Sequence, residues 1–349
     1  MELREIKTLV ELKEKIQAGF DNNEESLESF GITYSVQLKA YLIENNNKNP
    51  GDSGCPDGSW VPLDAKNWYV NKGGTYPEVF FLDKSRSRIW VIYSILDATL
   101  SDGIINTWIK NTKGLDNCWF SRNQLMMWDG KDSWSQRGIG LKFNDGLSSP
   151  DDAGNFSLKA WHGANKYIEG LDEILQSAKE RFAIHSTRWQ KFSEGKPSAI
   201  TSEWYSTGKV TINRAVDTDE VMLHISEMAN TYLKSVNDAT NLRDSSMGAF
   251  ELNFTQNINI NSFASTVLKG SGDMKLWMVE TESYPDFKRF KGVDLHNWDR
   301  VFLDVGDNYA YLTIPGKGCV NAAPRLAVIQ GEDNAGKTTI YHDGVELFA

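Results

Sequence analysis

The stretch KLWMVETESYPDFKRFKGVDLHNWDRVFLDVGDNYAYLTI, residues Lys275–Ile314, decides how this chain is read. Its apolar run Leu276–Val279 predicts a strand. Val301–Val305 and Tyr309–Ile314 predict a hairpin, because β-branched and aromatic residues gather there on either side of turn formers. The same block carries Glu280, Glu282, Asp286, Asp294, His296, Trp298, Asp299 and Asp304. No other part of the chain sets so many groups capable of chemistry between apolar runs. A polar loop is expected between the first strand and the hairpin.

Downstream, Leu326–Ile329 and Thr338–Tyr341 predict a last strand pair. Phe250–Phe254 and Asn257–Phe263 predict strands before the block. Asp217 to about Leu242 predicts a long helix. Asp217 and Glu220 have capping-box spacing, and Val221, Ile225, Met228, Tyr232, Val236 and Ala239 recur at helical steps. Ile200–Tyr205 and Lys209–Asn213 predict a hairpin around Ser206-Thr207-Gly208. Upstream, Leu171, Leu175, Ala178, Phe182, His185, Trp189 and Phe192 recur at steps of four and three, which predicts a second long helix over 166–192. Strands are expected at Val79–Leu82, Ile89–Ile95 and Gly138–Phe143, and a short helix at Ser101–Lys110 with Ser101 as its cap. Residues 44–77, rich in Asn, Gly, Pro and Asp, predict one long irregular loop.

The expected fold is α+β. Mixed or antiparallel sheets in two halves pack against the two long amphipathic helices. The boundary is placed at Ser193–Pro197, giving an N-terminal domain over 1–195 and a C-terminal one over 196–349.

The 349 residues carry a net charge of −10, with 40% hydrophobic and 24% charged side chains. That balance fits a soluble globular chain, argues against a nucleic-acid coat and disfavours an anionic membrane. Cys55, Cys118 and Cys319 form no CxxC pair and no disulfide framework, so a reducing, cytoplasmic setting is expected.

Gly331–Thr338 matches G-x-x-x-x-G-K-[ST]. A nucleotide is not expected there, because Glu332 and Asp333 would stand in the phosphate cradle and the following residues read as strands rather than a helix. Glu220, His224 and Glu227 lie at i, i+4 and i+7, but no second element supplies further ligands, so no metal site is assigned. In the opening block, Pro285-Asp286 supplies half of a PD-(D/E)xK pattern. Asp304-Val305-Gly306 then lacks the lysine that would position the attacking water.

Two functions follow. The first is a non-enzymatic binding or assembly subunit, meeting a protein or nucleic-acid partner through Trp60 and Trp68 of the 44–77 loop, the Arg181 and Arg188 edge, and Trp298. The alternative is a divergent metal-dependent nuclease or phosphodiesterase, with Glu280, Asp286, Asp294 and Asp304 holding Mg2+. The two separate on whether those four carboxylates converge.

Overall fold

Strand β1 (Leu38–Asn45) is buried along its whole length. Leu38, Ala40 and Leu42 face one core while Tyr41 and Ile43 face another. Apolar residues at both parities are what a strand covered on two faces requires. The computed structural model describes residues 5–21, 37–47, 50–131, 133–144, 155–161, 173, 177, 182–193, 196–246, 248–269, 272–333 and 336–349.

Around β1 the chain lays α1 (Leu9–Asp21), α2 (Pro50–Ser53), β2 (Ser59–Pro62), β3 (Trp68–Lys72), β4 (Phe80–Asp83), β5 (Ile89–Ser94), α3 (Ala98–Asn111), β6 (Leu115–Asn117) and α4 (Arg122–Leu125). Then come β7 (Trp134–Asn144), β8 (Asn155–Trp161), β9 (Ile184–Ser193), β10 (Lys196–Tyr205) and β11 (Lys209–Ala215). These strands make one sheet in the order β2-β3-β4-β5-β1-β11-β10-β9-β7-β8, with β6 beside the end of β1. The helix α3 covers one face of its first half, over Tyr41, Phe80, Leu82, Trp90 and Ile92.

Helix α5 (Thr218–Ser245) leads to the second sheet. Its elements are β12 (Phe250–Phe254), α6 (Ile260–Lys269), β13 (Leu276–Tyr284), β14 (Phe287–Asp294), β15 (Asp299–Gly306), β16 (Tyr309–Thr313), α7 (Ala322–Asp333), β17 (Thr338–His342) and β18 (Val345–Leu347). The order is β13-β14-β15-β16-β12-β17-β18. One core unites the inner faces of both sheets with α5, whose Val221, Ile225, Met228, Tyr232, Val236 and Ala239 are buried as their spacing predicts. Burying each of the larger side chains contributes about 1.5–3 kcal/mol.

The class is α+β, but the observed arrangement differs from the expected one. Every strand pairing among the described residues is antiparallel, so neither sheet is mixed. Of the helix expected over 166–192, the last part is instead β9 at Ile184–Ser193, which pairs β7 on one side and β10 on the other, while most of 166–181 lies outside the described residues. His185, Trp189 and Phe192 fit a helical period, yet Ile, Thr and Trp also suit a pleated surface, and two neighbouring strands supply the backbone partners. The boundary expected near 195 lies between β9 and β10, which are paired within a single sheet. The 44–77 loop contains the β2–β3 hairpin. Asp57 accepts from the amides of Thr75 and Tyr76, and Asn71 Oδ1 accepts from those of Val79 and Phe80, which tie the intervening turns down.

Smaller corrections share one cause. Leu326–Ile329 and part of Asn257–Phe263 are helical, in α7 and α6. Apolar runs this short do not separate strand from helix. Asn259 Oδ1 accepts from the amides of Asn261 and Ser262 and starts α6 as an N-cap. Asp97, not Ser101, caps α3.

Candidate functional site

The four carboxylates of the hydrolase alternative do not converge. The segment expected as a polar loop is the β13–β14 hairpin, so its acids sit on strands of known parity. Glu280 pairs with Lys288 at 2.7 Å. Asp286 is exposed in the hairpin turn. Asp304 and Glu282 are both held by Arg289, at 2.9 and 2.8 Å. Asp294 points to the opposite face, where it is buried against Arg325 at 2.6 Å.

The residues expected to bind are also scattered. Trp60 donates from Nε1 to the Gly54 carbonyl at 2.9 Å, and Trp68 stacks on Tyr93 with ring centroids 5.8 Å apart. Trp60 thus ties β2 to the segment after α2, and Trp68 ties β3 to β5. Arg188 lies on β9 with its guanidinium over Trp161, 5.4 Å from the ring centre. Arg181 lies outside the described residues. Trp298, at 60% exposure and φ +64°, sits in the β14–β15 turn.

The helical set Glu220, His224 and Glu227 divides. Glu220 pairs with Lys191, and Glu227 is exposed. His224 is buried in a box of Trp128, Trp134 and Trp204. Burial, with Lys191 and Lys131 nearby, drives its pKa well below the usual histidine value, so it is a neutral core imidazole.

Gly331–Thr338 spans the C-terminal end of α7 and the start of β17, and the Gly336 amide donates back to the Gly331 carbonyl at 3.1 Å. A helix C-terminus presents carbonyls and negative partial charge, the reverse of what a phosphate needs. Several of these residues line a small cleft together with Phe120, Ile184, Leu347 and Phe348.

What the fold does bring together is a buried ionic seam between the two sheets. Arg325, on α7 and fully buried, holds Asp116 of β6 at 2.5 Å and Asp294 of β14 at 2.6 Å. Asn321 Nδ2 donates to Asp116 at 2.9 Å and Trp119 Nε1 donates to it at 3.2 Å. Burial opposes the Asp116 charge, but Arg325, Lys275 and His296 outweigh it and hold its pKa below the ordinary value. Lys275 donates to the carbonyls of Ile109 and Leu115, and burial lowers its own pKa.

The second half of the seam centres on Glu44 of β1. Its Oε1 accepts from Arg88 Nε at 2.7 Å, and its Oε2 lies 3.0 Å from His296 Nε2. Cys319 Sγ is 3.4 Å from Glu44 Oε1 and accepts from Arg88 Nη2 at 3.2 Å. Burial, with the Glu44 charge, pushes the Cys319 thiol well above its usual pKa. The backbone joins in, with the Gly114 amide donating to the His296 carbonyl at 2.8 Å.

Asp294 and His296 stand in the block Lys275–Ile314. Glu44, Arg88, Asp116, Cys319 and Arg325 carry no signal in sequence, because their partners lie tens to hundreds of residues away. A charged residue inside an apolar run, as Glu44 ends YLI, is the one cue that could have drawn notice.

A third feature is the outer face of the second sheet. In β13, β15 and β16 the inward residues are Leu276, Met278, Val301, Leu303, Ala310 and Leu312, all buried. The outward ones include Trp277 and Val279, each 55% exposed, Phe302 at 43% and Tyr311 at 40%. The register sets Val279, Lys291 and Phe302 side by side across three strands, and Trp277, Val293 and Arg300 beside them.

These features define an α+β protein of two antiparallel sheets, joined by a buried ionic seam and presenting one aromatic sheet face to solvent. Over residues 1–331 the chain matches the family described as MJECL33-like protein, and it belongs to that family. A relative from Methanocaldococcus jannaschii, described as the uncharacterized protein MJECL33, is 23% identical over 340 residues, covering 83% of this chain and 82% of the relative. No helix among the described residues is long and apolar enough to cross a membrane.

Proposed function

We propose that this protein is a binding subunit whose partner, another protein, docks on the outer face of the second sheet. The observation that supports it is the row of Trp277, Val279, Phe302 and Tyr311, large side chains left 40–55% exposed on a regular sheet. Single exposed apolar residues are ordinary, but a contiguous group of them marks an interaction surface. Trp, Tyr and Arg dominate the energetics of protein interfaces. Here the aromatics alternate with Lys291, Arg300 and the Glu282–Arg289–Asp304 bridge, so the face carries both signs of charge. Mixed charge on a chain of net −10 favours a polypeptide over a nucleic-acid backbone.

The test is site-specific photocrosslinking in cells that make the protein naturally. A photoreactive residue replacing Phe302 should yield one discrete protein adduct, lost on adding Trp277→Ser and Lys291→Glu. The same residue at Leu223, which is 58% exposed on α5, should not yield it. No adduct at 302, equal adducts at both positions, or an adduct to nucleic acid would each refute the assignment.

A further inference from the structure

Within the seam, three side chains of unlike chemistry gather in one place. A carboxylate oxygen of Glu44, a ring nitrogen of His296 and Cys319 Sγ all lie within 4.8 Å of one another. They come from β1, from the β14–β15 turn and from the segment leading into α7. All three are buried.

We propose that Glu44, His296 and Cys319 are the protein ligands of a structural zinc-class divalent ion that staples the two sheets together. Carboxylate, imidazole and thiolate together suit zinc, which bonds sulfur at about 2.3 Å and nitrogen or oxygen at about 2.0–2.2 Å. Donors on a tetrahedral ion therefore stand about 3.3–3.6 Å apart. Glu44 Oε2 to His296 Nε2 is 3.0 Å and Glu44 Oε1 to Cys319 Sγ is 3.4 Å, close to that spacing, and one donor atom from each of the three residues lies within 4.8 Å of the other two.

A fourth side chain stands at ligand-to-ligand spacing from the same donors. Asn46 Nδ2 lies 3.0 and 3.1 Å from the two Glu44 oxygens, 3.5 Å from His296 Nε2 and 3.7 Å from Cys319 Sγ. Asn46 is itself exposed, so its amide can turn. Turned over, it offers Oδ1 as a fourth ligand; swung out, it leaves that position to water. Arg88 supplies the outer layer, donating to both Glu44 and Cys319. Such donors orient ligands and stabilise a bound thiolate. The Arg88 side chain is 20% exposed, which partly solvates its charge beside the ion.

Binding exchanges a proton for the metal. The Cys319 S–H bond breaks, the S–metal bond forms, and one proton leaves to solvent with no change of oxidation state. The His296 and Glu44 side chains are 0% exposed, which suits a structural ion.

The experiment is a titration of the reduced, chelator-stripped protein with Co2+. One equivalent should bring up a sulfur-to-cobalt charge-transfer band in the near ultraviolet, and Zn2+ should abolish it. The band should persist in Cys55→Ser/Cys118→Ser, which leaves Cys319 as the one thiol, and vanish in Cys319→Ser. No band in the wild type overturns the proposal. So does a band that survives Cys319→Ser, or one lost from the double-serine protein while circular dichroism shows it folded.

Discussion

Replacing Arg325 with methionine should cost about 3–5 kcal/mol of folding stability near neutral pH, the loss typical when one partner of a buried ion pair is removed. The structure shows why the upper part of that range applies. Methionine fills much of the space but leaves two buried carboxylates. Asp116 would retain Asn321, Trp119 and the more distant Lys275 ammonium at 3.9 Å. Asp294 would retain the His296 amide at 3.1 Å, and its Oδ2 has no partner even with Arg325 in place. The pH dependence carries a sign. In the wild type the Asp116 pKa is depressed in spite of burial, so its contribution is present above the unfolded value and lost as acid drives pH through the folded one. Without Arg325, burial dominates and the folded pKa rises. The variant then loses stability as pH climbs. The gap between the two proteins should therefore narrow between about pH 7 and about pH 5. Urea denaturation at both pH values measures it. A loss under about 1 kcal/mol at neutral pH, or a gap that does not move with pH, would show that Arg325 does not neutralise these carboxylates. Asp116→Asn and Asp294→Asn added to Arg325→Met should recover much of the loss, because neutral amides leave no bare charge.

Other outcomes follow from single contacts. Burial, then the neighbouring Glu332 charge, raises the Asp333 pKa to about 7. The folded state thus keeps a proton that the unfolded state releases, and this contribution is lost as pH rises towards the folded value. Asp333→Asn should stabilise the protein on the order of 1–3 kcal/mol at about pH 8 and leave it unchanged at about pH 4, by the same denaturation assay. Gly292→Ala would place a Cβ 2.1 Å from the Trp277 carbonyl oxygen and 2.7 Å from Met278 Cα. Those are backbone atoms, so β13 itself must move, at about 1–3 kcal/mol. Thermal unfolding, with faster amide exchange confined to β13 and β14, checks it.

The buried seam bears on specificity more than on raw stability. Ion pairs taken out of water recover their desolvation cost only with good geometry and satisfied partners. Arg325 and Glu44 each accept only a docking in which both sheets present their charges at the right place. A slipped or separated arrangement strands a charge in the core. The seam therefore selects one relative placement of the sheets, which positions the outer aromatic face independently of any partner.

Much of the architecture was already set by the amino-acid order. The alternation in Val301–Val305 and Tyr309–Ile314, the helical period from Val221 to Ala239 and the turn formers Ser206-Thr207-Gly208 are local signals, and each became the element expected. Asp343 and Gly344, with φ of +48° and +77°, make the tight β17–β18 turn that their residue types favour. Local pattern failed where two periods fit the same residues, as in β9, and where apolar runs were too short, as in α7. Which side chains meet was left to tertiary packing. Glu44 stands 275 residues from Cys319, and Asp116 stands 209 from Arg325. A strand dictates that its alternate residues face opposite ways, but not what lies across from them. That choice belongs to the packing of one sheet against the other, where burying a charge is tolerable only beside its opposite.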